Sequence, residues 1–316
     1  MRVLFAGSPA IAVPSLETIF REEGITLAGV LTNPDSPRGR KSEPLPTDVA
    51  EASLKLLKEG RTAFPILKPL KLDSQAREQV SSLKPDLLVS FAYGRLFGPK
   101  FLELFPLGGI NIHPSLLPKY RGPSPIQAAI LNRETVTGIS VQRLAKEMDS
   151  GDILAVEQFQ LTGRETAGSL SETVSLKAAL ILPEVLKKIA DGTVQGKAQN
   201  HSEASYCQLV SKEDALIDWK KNAVEIEAKI RAFDPWPLCR TIHNGRELLL
   251  LKAEVFDSSK AGSSGLVLGI DKQAGILVQT GEGILAVTEL QYQGKKALFW
   301  RNFLNGARDF PGSQLG

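Results

Sequence analysis

The amino-acid sequence predicts an α/β fold in which a Rossmann-like domain with a parallel sheet is followed by a C-terminal OB-like β-barrel domain. The first half of the chain alternates apolar runs of strand length with helical patterns, which favours parallel strands joined by crossover helices. The second half contains short strands separated by Gly, Asp and Ser turns, which is typical of small barrels. A chain of 316 residues that is 42% hydrophobic can form a core in each domain.

Four strands and two helices are predicted in residues 1–112. The strands cover residues 2–6, 25–31, 86–91 and 109–112, and the helices cover residues 15–23 and 47–58. The run LLVSF is apolar without alternation, as expected of a strand covered by helices on both faces. The first strand ends in Gly7-Ser8-Pro9 without a G-x-G-x-x-G fingerprint, so binding of a nicotinamide dinucleotide is disfavoured.

A polar segment without periodicity, DGTVQGKAQNHSEAS, follows a helix predicted over residues 169–190. The sequence therefore predicts a first domain over residues 1–190, a linker over 191–206 and a C-terminal domain over 207–316. In the C-terminal domain we expect a helix over residues 223–233 and strands over 247–255, 265–268, 275–280 and 283–290.

Composition and patterning exclude several classes of protein. A formal net charge of +3 is too small to indicate a nucleic-acid binder by itself. The two cysteines, Cys207 and Cys239, form neither a CxxC pair nor a zinc pattern, so we expect no disulfide framework and no metal. There is no basic leader and no apolar run of about 18 residues. We therefore expect a cytoplasmic monomer that does not associate with membranes.

The stretch GINIHPSLLP carries two polar side chains, Asn111 and His113, at the end of an apolar strand. Residues two apart in a strand face the same side, so the amide and the imidazole should project together from the carboxyl end of a parallel strand. Open α/β sheets bind ligands at that end. Pro114 and Pro118 then delimit a short loop. Hydrogen-bonded polar residues of a core would give the same local pattern.

A second polar turn, MDSGD, lies between the strand-like segments GISVQRLA and DILAVEQF. Its two acidic residues, Asp149 and Asp152, flank a Ser-Gly pair. An ordinary β-hairpin turn has the same composition, because Asp and Gly are favoured in turns for conformational reasons. The turn alone therefore leaves a structural and a functional interpretation open.

Three motifs in this order and spacing, N-x-H-P-S-L-L-P, R-G-P-S-P-I-Q and D-S-G-D-I, resemble those of the 10-formyltetrahydrofolate-dependent formyltransferase family. Five further segments, FAGSP, TNPDSPRGR, SFAYGRL, IDW and RAFDPWP, are similar to the members of that family that act on tRNA. The resemblance covers essentially the whole chain. It implies a Rossmann-like formyl-donor domain and an OB-like domain that helps to hold the tRNA.

The resemblance also implies the reaction and its residues. A formyl group would pass from 10-formyltetrahydrofolate, the co-substrate, to the α-amino group of initiator methionyl-tRNA, the partner. The implied residues are Asn111, His113 and Asp149 for catalysis, Ser115, Leu116, Leu117, Pro118, Phe91, Ala92 and Tyr93 for the folate, and Arg38, Arg40 and Lys41 for the tRNA. Asp152 is interpreted as a turn residue, because the family pattern places its catalytic acid at the first Asp.

The chemistry of amine attack on a formyl carbon explains why these residue types are needed. The carbonyl oxygen gains negative charge and the attacking nitrogen gains positive charge, so the site must donate hydrogen bonds to one and remove a proton from the other. Asn111 and a protonated His113 are expected to supply the donors. Asp149 is expected to favour the protonated imidazole and to position it.

Two other functions fit parts of the sequence. A formyltransferase that acts on a small amine, such as a purine precursor or an amino sugar, would share the Asn, His and Asp pattern but gives no reason for the C-terminal domain. An RNA-binding protein with a silent formyl site would have no need to keep three polar groups in an apolar setting.

Overall fold

The computed structural model describes residues 1–37, 43–60, 62–258 and 262–316. Backbone contacts divide the chain into two compact units. The first comprises residues 1–125, 136–160 and 171–207, and the second comprises residues 126–135, 161–170 and 208–316. Two short segments of the first half thus group with the second unit, which no local sequence pattern indicates. The domain boundary placed at 191–206 stays a prediction.

The first 207 residues contain nine strands and six helices within the described ranges. The strands are β1 (Arg2–Gly7), β2 (Thr26–Leu31), β3 (Ser36–Pro37), β4 (Pro44–Leu45), β5 (Ile66–Leu67), β6 (Leu87–Phe91), β7 (Gly109–His113), β8 (Val136–Arg143) and β9 (Ile153–Gln160). The helices are α1 (Val13–Arg21), α2 (Asp48–Glu59), α3 (Ser74–Ser82), α4 (Pro99–Leu102), α5 (Pro125–Leu131) and α6 (Ala167–Ala190).

The main sheet of the first unit has the strand order β5-β2-β1-β6-β7-β8-β9. Pairing is parallel from β5 to β7 and antiparallel from β7 to β9. The predicted fold class is confirmed, with the difference that β8 and β9 form an antiparallel hairpin at one edge. The two strands are joined by the short loop 144–152, and antiparallel strands are the ones that a short loop can connect.

The centre of this sheet is buried on both faces. Leu4 and Leu88, on neighbouring strands, are fully buried in one core cluster. The rings of Tyr93, Phe97, Phe101 and Phe105 follow one another at centroid distances of 5.4, 5.4 and 5.7 Å along the same cluster. This packing fixes β1 and β6, and through the β6–β7 ladder it fixes β7 beside them.

The second unit is built on an antiparallel sheet. Its elements are α7 (Ala223–Ala232), β10 (Cys239–His243), β11 (Arg246–Asp257), β12 (Val267–Asp271), β13 (Gly275–Gln279), β14 (Ile284–Tyr292), β15 (Leu298–Phe299) and α8 (Trp300–Asn305). The strand order is β10-β11-β14-β13-β12, and β15 pairs with β14. Helix α7 begins with a capping box in which Asn222 and Glu225 satisfy each other's backbone N–H. None of the helices in the described ranges is long and apolar enough to cross a membrane.

Residues 312–316 join the two edges of this second sheet. On one side Gly312 N donates to Val267 O at 2.8 Å and Leu315 N donates to Gly265 O at 2.9 Å. On the other side Gly316 and Ile242 exchange two backbone hydrogen bonds of 2.8 and 3.1 Å. The segment therefore covers the unpaired edges of β10 and β12, which gives the sheet the closed character expected of an OB-like barrel.

We predict that Leu315→Ala destabilises the second unit by about 2–5 kcal/mol, because the Leu315 side chain is buried in the segment that closes the sheet. Chemical unfolding in urea measures the loss. Leu268→Ala, on the edge strand β12 but 41% exposed, is the matched control and should cost less than about 1 kcal/mol. Equal losses in the two variants would contradict the role given to residues 312–316.

Candidate active site

Strand β7 carries Asn111 and His113 into the carboxyl edge of the first sheet. Asn111 is opposite Ser90 of β6 on one side and opposite Gln142 of β8 on the other. His113, the last residue of the strand, is opposite Ser140. Because β8 runs antiparallel to β7, Gln142 lies directly beside Asn111 on the same face of the sheet.

The β8–β9 loop folds back so that Asp149 reaches this edge. Asp149 has a left-handed backbone (φ 52°), which Asp tolerates better than most residues. Gly151 lies so close to the end of β8 that a Cβ there would overlap the carbonyl of Arg143, so only glycine fits. Asp152, one residue further, is exposed to solvent. The turn thus directs the first of its two acidic residues inward.

The carboxylate of Asp149 is contacted from four directions. Its Oδ1 accepts hydrogen bonds from Gln142 Nε2 at 2.8 Å and, more weakly, from Asn111 Nδ2 at 3.4 Å. Its Oδ2 accepts from the backbone N–H of Gly122 at 2.9 Å and lies 3.5 Å from His113 Nδ1. The structure therefore brings Asn111, His113 and Asp149 together, as the sequence predicts.

The imidazole of His113 is almost completely enclosed, with 4% of its side chain exposed. Its Nε2 lies 2.8 Å from the carbonyl of Tyr120. A carbonyl only accepts, so Nε2 carries a proton. Burial lowers the pKa of His113, and the nearby Asp149 carboxylate and the Tyr120 carbonyl oppose this effect without reversing it. The lowered pKa favours a neutral imidazole whose lone pair is on Nδ1, and a protonated His113 during the reaction stays a prediction.

Gly122 completes the cradle of the carboxylate. It has a φ of +117°, and a Cβ at this position would overlap the carbonyl of Cys207. A residue with a side chain could not present its N–H to Asp149 in the same way. The segment before it is fixed by backbone hydrogen bonds from Arg121 N to Ser205 O and from Cys207 N to Arg121 O, both at 2.8 Å.

The predicted folate loop follows β7 directly and is held rigid by its own hydrogen bonds. The Ser115 hydroxyl is buried and donates to Lys119 O at 2.5 Å. Ser140 Oγ donates to Ser115 O at 2.8 Å and accepts from Leu117 N at 3.1 Å. Leu116 packs against Gly138, where a Cβ would displace it. The Ser115 side chain thus stabilises the loop, and folate contact by residues 115–118 stays a prediction.

The other predicted folate residues follow β6. The side chains of Phe91 and Tyr93 are both 1% exposed, and the Tyr93 ring is stacked on Phe97. Ala92 between them is exposed and has a positive φ of 51°. Of these three residues, the structure leaves Ala92 and its backbone open to a ligand, whereas Phe91 and Tyr93 form part of the core.

The predicted tRNA contacts Arg38, Arg40 and Lys41 lie outside the described residues. The short strands that flank them, β3 and β4, pair through Ser36 with Leu45 and Pro37 with Pro44. This pairing holds residues 36–37 next to residues 44–45.

Three polar residues near the site were not singled out by sequence reasoning. Gln142 interrupts the apolar run of β8 in the same way that Asn111 interrupts β7, so the same signal could have found it. Arg121 belongs to the R-G-P-S-P-I-Q motif but received no role. Gln199 lies in a polar segment where nothing local distinguishes it from its neighbours.

Comparison with known proteins identifies the family of this chain. Residues 1–186 match the family model described as formyl transferase, and residues 209–308 match its C-terminal domain. The methionyl-tRNA formyltransferase of Treponema denticola is 49% identical over 98% of both chains, and that of Borrelia duttonii is 41% identical over 99% of both.

Among solved structures, an N-formyltransferase from Helicobacter canadensis, in complex with folinic acid and dTDP-3-aminofucose, has a TM-score of 0.65 at 21% identity. The match covers 90% of this chain and 98% of that one, and it concerns the fold. The relatives span nearly the whole chain, and they confirm the resemblance inferred from the motifs. The chain therefore belongs to the formyl transferase family, in its methionyl-tRNA formyltransferase branch.

Proposed function

We propose that this protein transfers the formyl group of 10-formyltetrahydrofolate to the α-amino group of initiator methionyl-tRNA. The observation that carries the proposal is the convergence of Asn111, His113 and Asp149 on one small part of the sheet edge. The names of the relatives that match the whole chain support tRNA as the acceptor, and the family supports a folate-type donor.

His113 and Asp149 act together on the proton of the amine. The neutral imidazole holds a lone pair on Nδ1, which faces Asp149 Oδ2. The proton that the attacking nitrogen loses passes to Nδ1 by way of this carboxylate. The imidazolium that results then lies beside Asp149 Oδ2, now as an ion pair at a contact of 3.5 Å. Both groups are buried, so their attraction is screened less than it would be in water.

Asn111 stabilises the negative charge that develops on the formyl oxygen. Its Nδ2 has only a long contact, 3.4 Å, with Asp149, so an N–H of this amide can turn to the oxygen at little cost. The C–N bond to the donor then breaks, and the imidazolium of His113 returns its proton to the departing nitrogen. The products are the N-formyl amine and tetrahydrofolate, and no covalent enzyme intermediate is needed.

The loop after β7 can hold a folate. In the described part of the chain, the N–H of Leu116 and the carbonyl of Leu117 have no hydrogen-bond partner, although the surrounding backbone is paired. This donor and acceptor lie within a few residues of His113. They match the needs of the amide-like edge of a pterin, and Leu116 and Pro118 can cover its face. When bound, 10-formyltetrahydrofolate supplies the formyl group.

Arg40, with Arg38 and Lys41, engages the acceptor end of the tRNA in this proposal. Three cations in four residues, which lie between β3 and β4 in the sequence, suit a phosphate backbone. The protein works as a monomer in the cytoplasm, where translation begins. A small-amine acceptor is the alternative, and the 49% and 41% identity to methionyl-tRNA formyltransferases over nearly the whole chain argues against it.

The acceptor is tested directly by incubating the protein with 10-formyltetrahydrofolate and either methionyl initiator tRNA, free methionine or an amino sugar. We expect formyl transfer to the charged tRNA alone, because binding energy from the tRNA is needed to place the amine. Thin-layer chromatography or mass spectrometry of each acceptor measures the amount of formyl group transferred. Transfer to free amines at comparable rates would favour the small-amine alternative.

His113→Ala should lower kcat by about 10²–10⁴-fold while tRNA binding stays near that of the wild type, because the imidazole acts on the proton and not on the RNA. In the wild type kcat should fall on the acid side, at a pH below the ordinary histidine pKa of about 6.5, since burial lowers the pKa of His113. Asp149→Asn removes the charge that opposes this shift, so the acid limb should move to still lower pH. An acid limb of the kcat profile that does not move in Asp149→Asn would contradict the interaction between Asp149 and His113.

Arg40→Ala should raise the KM for charged tRNA and reduce the dependence of tRNA binding on salt by about one unit of slope, because one phosphate contact is lost. Filter binding over a series of salt concentrations measures this. Lys187→Ala, an exposed cation on α6, changes the net charge equally and should leave both quantities unchanged. The same loss in both variants would show an effect of overall charge only.

A further inference from the structure

A chain of buried polar side chains extends from Asp149 away from the reacting groups. It consists of Gln142, Gln199 and Arg121, which are 1%, 6% and 1% exposed. Buried polar side chains are costly unless they are hydrogen-bonded, and a buried guanidinium is especially so. The burial of these three polar side chains therefore requires an explanation.

The direction of each hydrogen bond in this chain is fixed by Arg121. A guanidinium only donates, so the atom of Gln199 that faces it must be the oxygen. Gln199 Oε1 accepts from Arg121 Nε at 3.1 Å and from Nη2 at 2.7 Å. The amide nitrogen of Gln199 must then face the opposite way, towards the turn that carries Asp149.

Gln199 Nε2 meets three acceptors there. It lies 2.9 Å from Asp149 O, 2.7 Å from Gly151 O and 3.2 Å from Gln142 Oε1. The last contact orients the second amide, so Gln142 presents its Nε2 to Asp149 Oδ1 at 2.8 Å. The backbone and the carboxylate of Asp149 are thus both held by groups whose orientation depends on Arg121.

The other contacts of the guanidinium are to a ring nitrogen and to a hydroxyl group. Arg121 Nη2 lies 3.2 Å from His201 Nδ1, and Nη1 lies 3.4 Å from the hydroxyl of Tyr206. Among the described residues, the hydrogen-bond partners of this guanidinium include no carboxylate, so no ion pair offsets the cost of burying its charge. In this structure two N–H groups of Arg121 donate to Gln199 Oε1 and so fix the orientation of the Gln199 amide.

We propose that Arg121 and Gln199 are positioning residues for Asp149: they orient the two glutamine amides that hold the carboxylate against His113. This inference rests on the proposed function, because it gives Asp149 its role in the reaction. The side chains of Arg121 and Gln199 act on the three catalytic side chains through Gln142 and the backbone of the turn. The backbone of Arg121 also joins Tyr120 to Gly122, whose carbonyl and N–H contact His113 and Asp149.

The test uses Arg121→Met, Gln199→Met and the double variant, with Gln195→Met as the control on an exposed site of the same segment. Each single variant should lower kcat by about ten- to a hundredfold, since a displacement of about 1 Å in a reacting group has effects of this size. The KM for tRNA and for folate should change by no more than about twofold. The double variant should be no slower than the slower single variant, because both residues act through one turn.

A second readout does not depend on any substrate. NMR titration of His113 should give a lower pKa in Gln199→Met than in the wild type, because the carboxylate that opposes the effect of burial is no longer held beside the ring. His243, in the second unit, reports on folding in the same spectra. If the wild type fails to transfer formyl groups, the proposed function fails, while this titration still decides the positioning role.

Gln199→Glu separates positioning from simple packing. The glutamate keeps an oxygen that accepts from Arg121, but it cannot donate to the turn that carries Asp149. If Gln199 served only to accept from Arg121, kcat would stay unchanged. The positioning role instead predicts the same loss of kcat as in Gln199→Met. This variant also applies if the methionine variants do not fold. A kcat like that of the wild type in Gln199→Glu, losses that multiply in the double variant, or an unchanged His113 titration would each overturn the proposal.

Discussion

The structure of the site depends on satisfying one nearly buried carboxylate. Asp149 is 11% exposed, and an unpaired carboxylate at this depth would cost several kcal/mol. Its partners come from separate parts of the chain: Gln142 from β8, the Gly122 N–H from the loop after β7, and His113 from β7 itself. These contacts offset the cost of burying the Asp149 carboxylate, and they also hold it beside the imidazole of His113. The same interactions therefore stabilise the fold and set the geometry of the site.

Much of the fold could be predicted from local pattern. The apolar runs locate β1, β2, β6 and β7 to within one residue at each end, because strands covered on both faces must be apolar throughout. Helix α7 was predicted for a similar reason, from its apolar spacing. The antiparallel pairing of β8 with β7 could not be predicted in this way, since local sequence gives a strand its length and not its neighbour.

Site residues could be predicted where polar side chains of the right type lie close together on one strand. Asn111 and His113 are two residues apart, so strand geometry alone places them on one face. Asp149 required the family motif, because its position depends on the β7–β8 register. Gln199 was not predictable, since its bond to Arg121 joins residues 78 positions apart and a glutamine in a polar segment has no distinguishing pattern. Side chains that orient others are set by tertiary structure.

The site holds an electrostatic mismatch between His113 and Asp149 that the proposed reaction would remove. With its proton on Nε2, neutral His113 directs a lone pair from Nδ1 towards Asp149 Oδ2, and two acceptors then face each other at 3.5 Å. A proton that arrives on Nδ1 turns this contact into a charge-assisted hydrogen bond. The site therefore stabilises the state after the amine has lost its proton more than the state before. An interaction that becomes stronger during the reaction raises kcat. Burial of His113 suits the proposed reaction, because it lowers the pKa of the imidazole and so favours an unprotonated Nδ1 before the amine attacks.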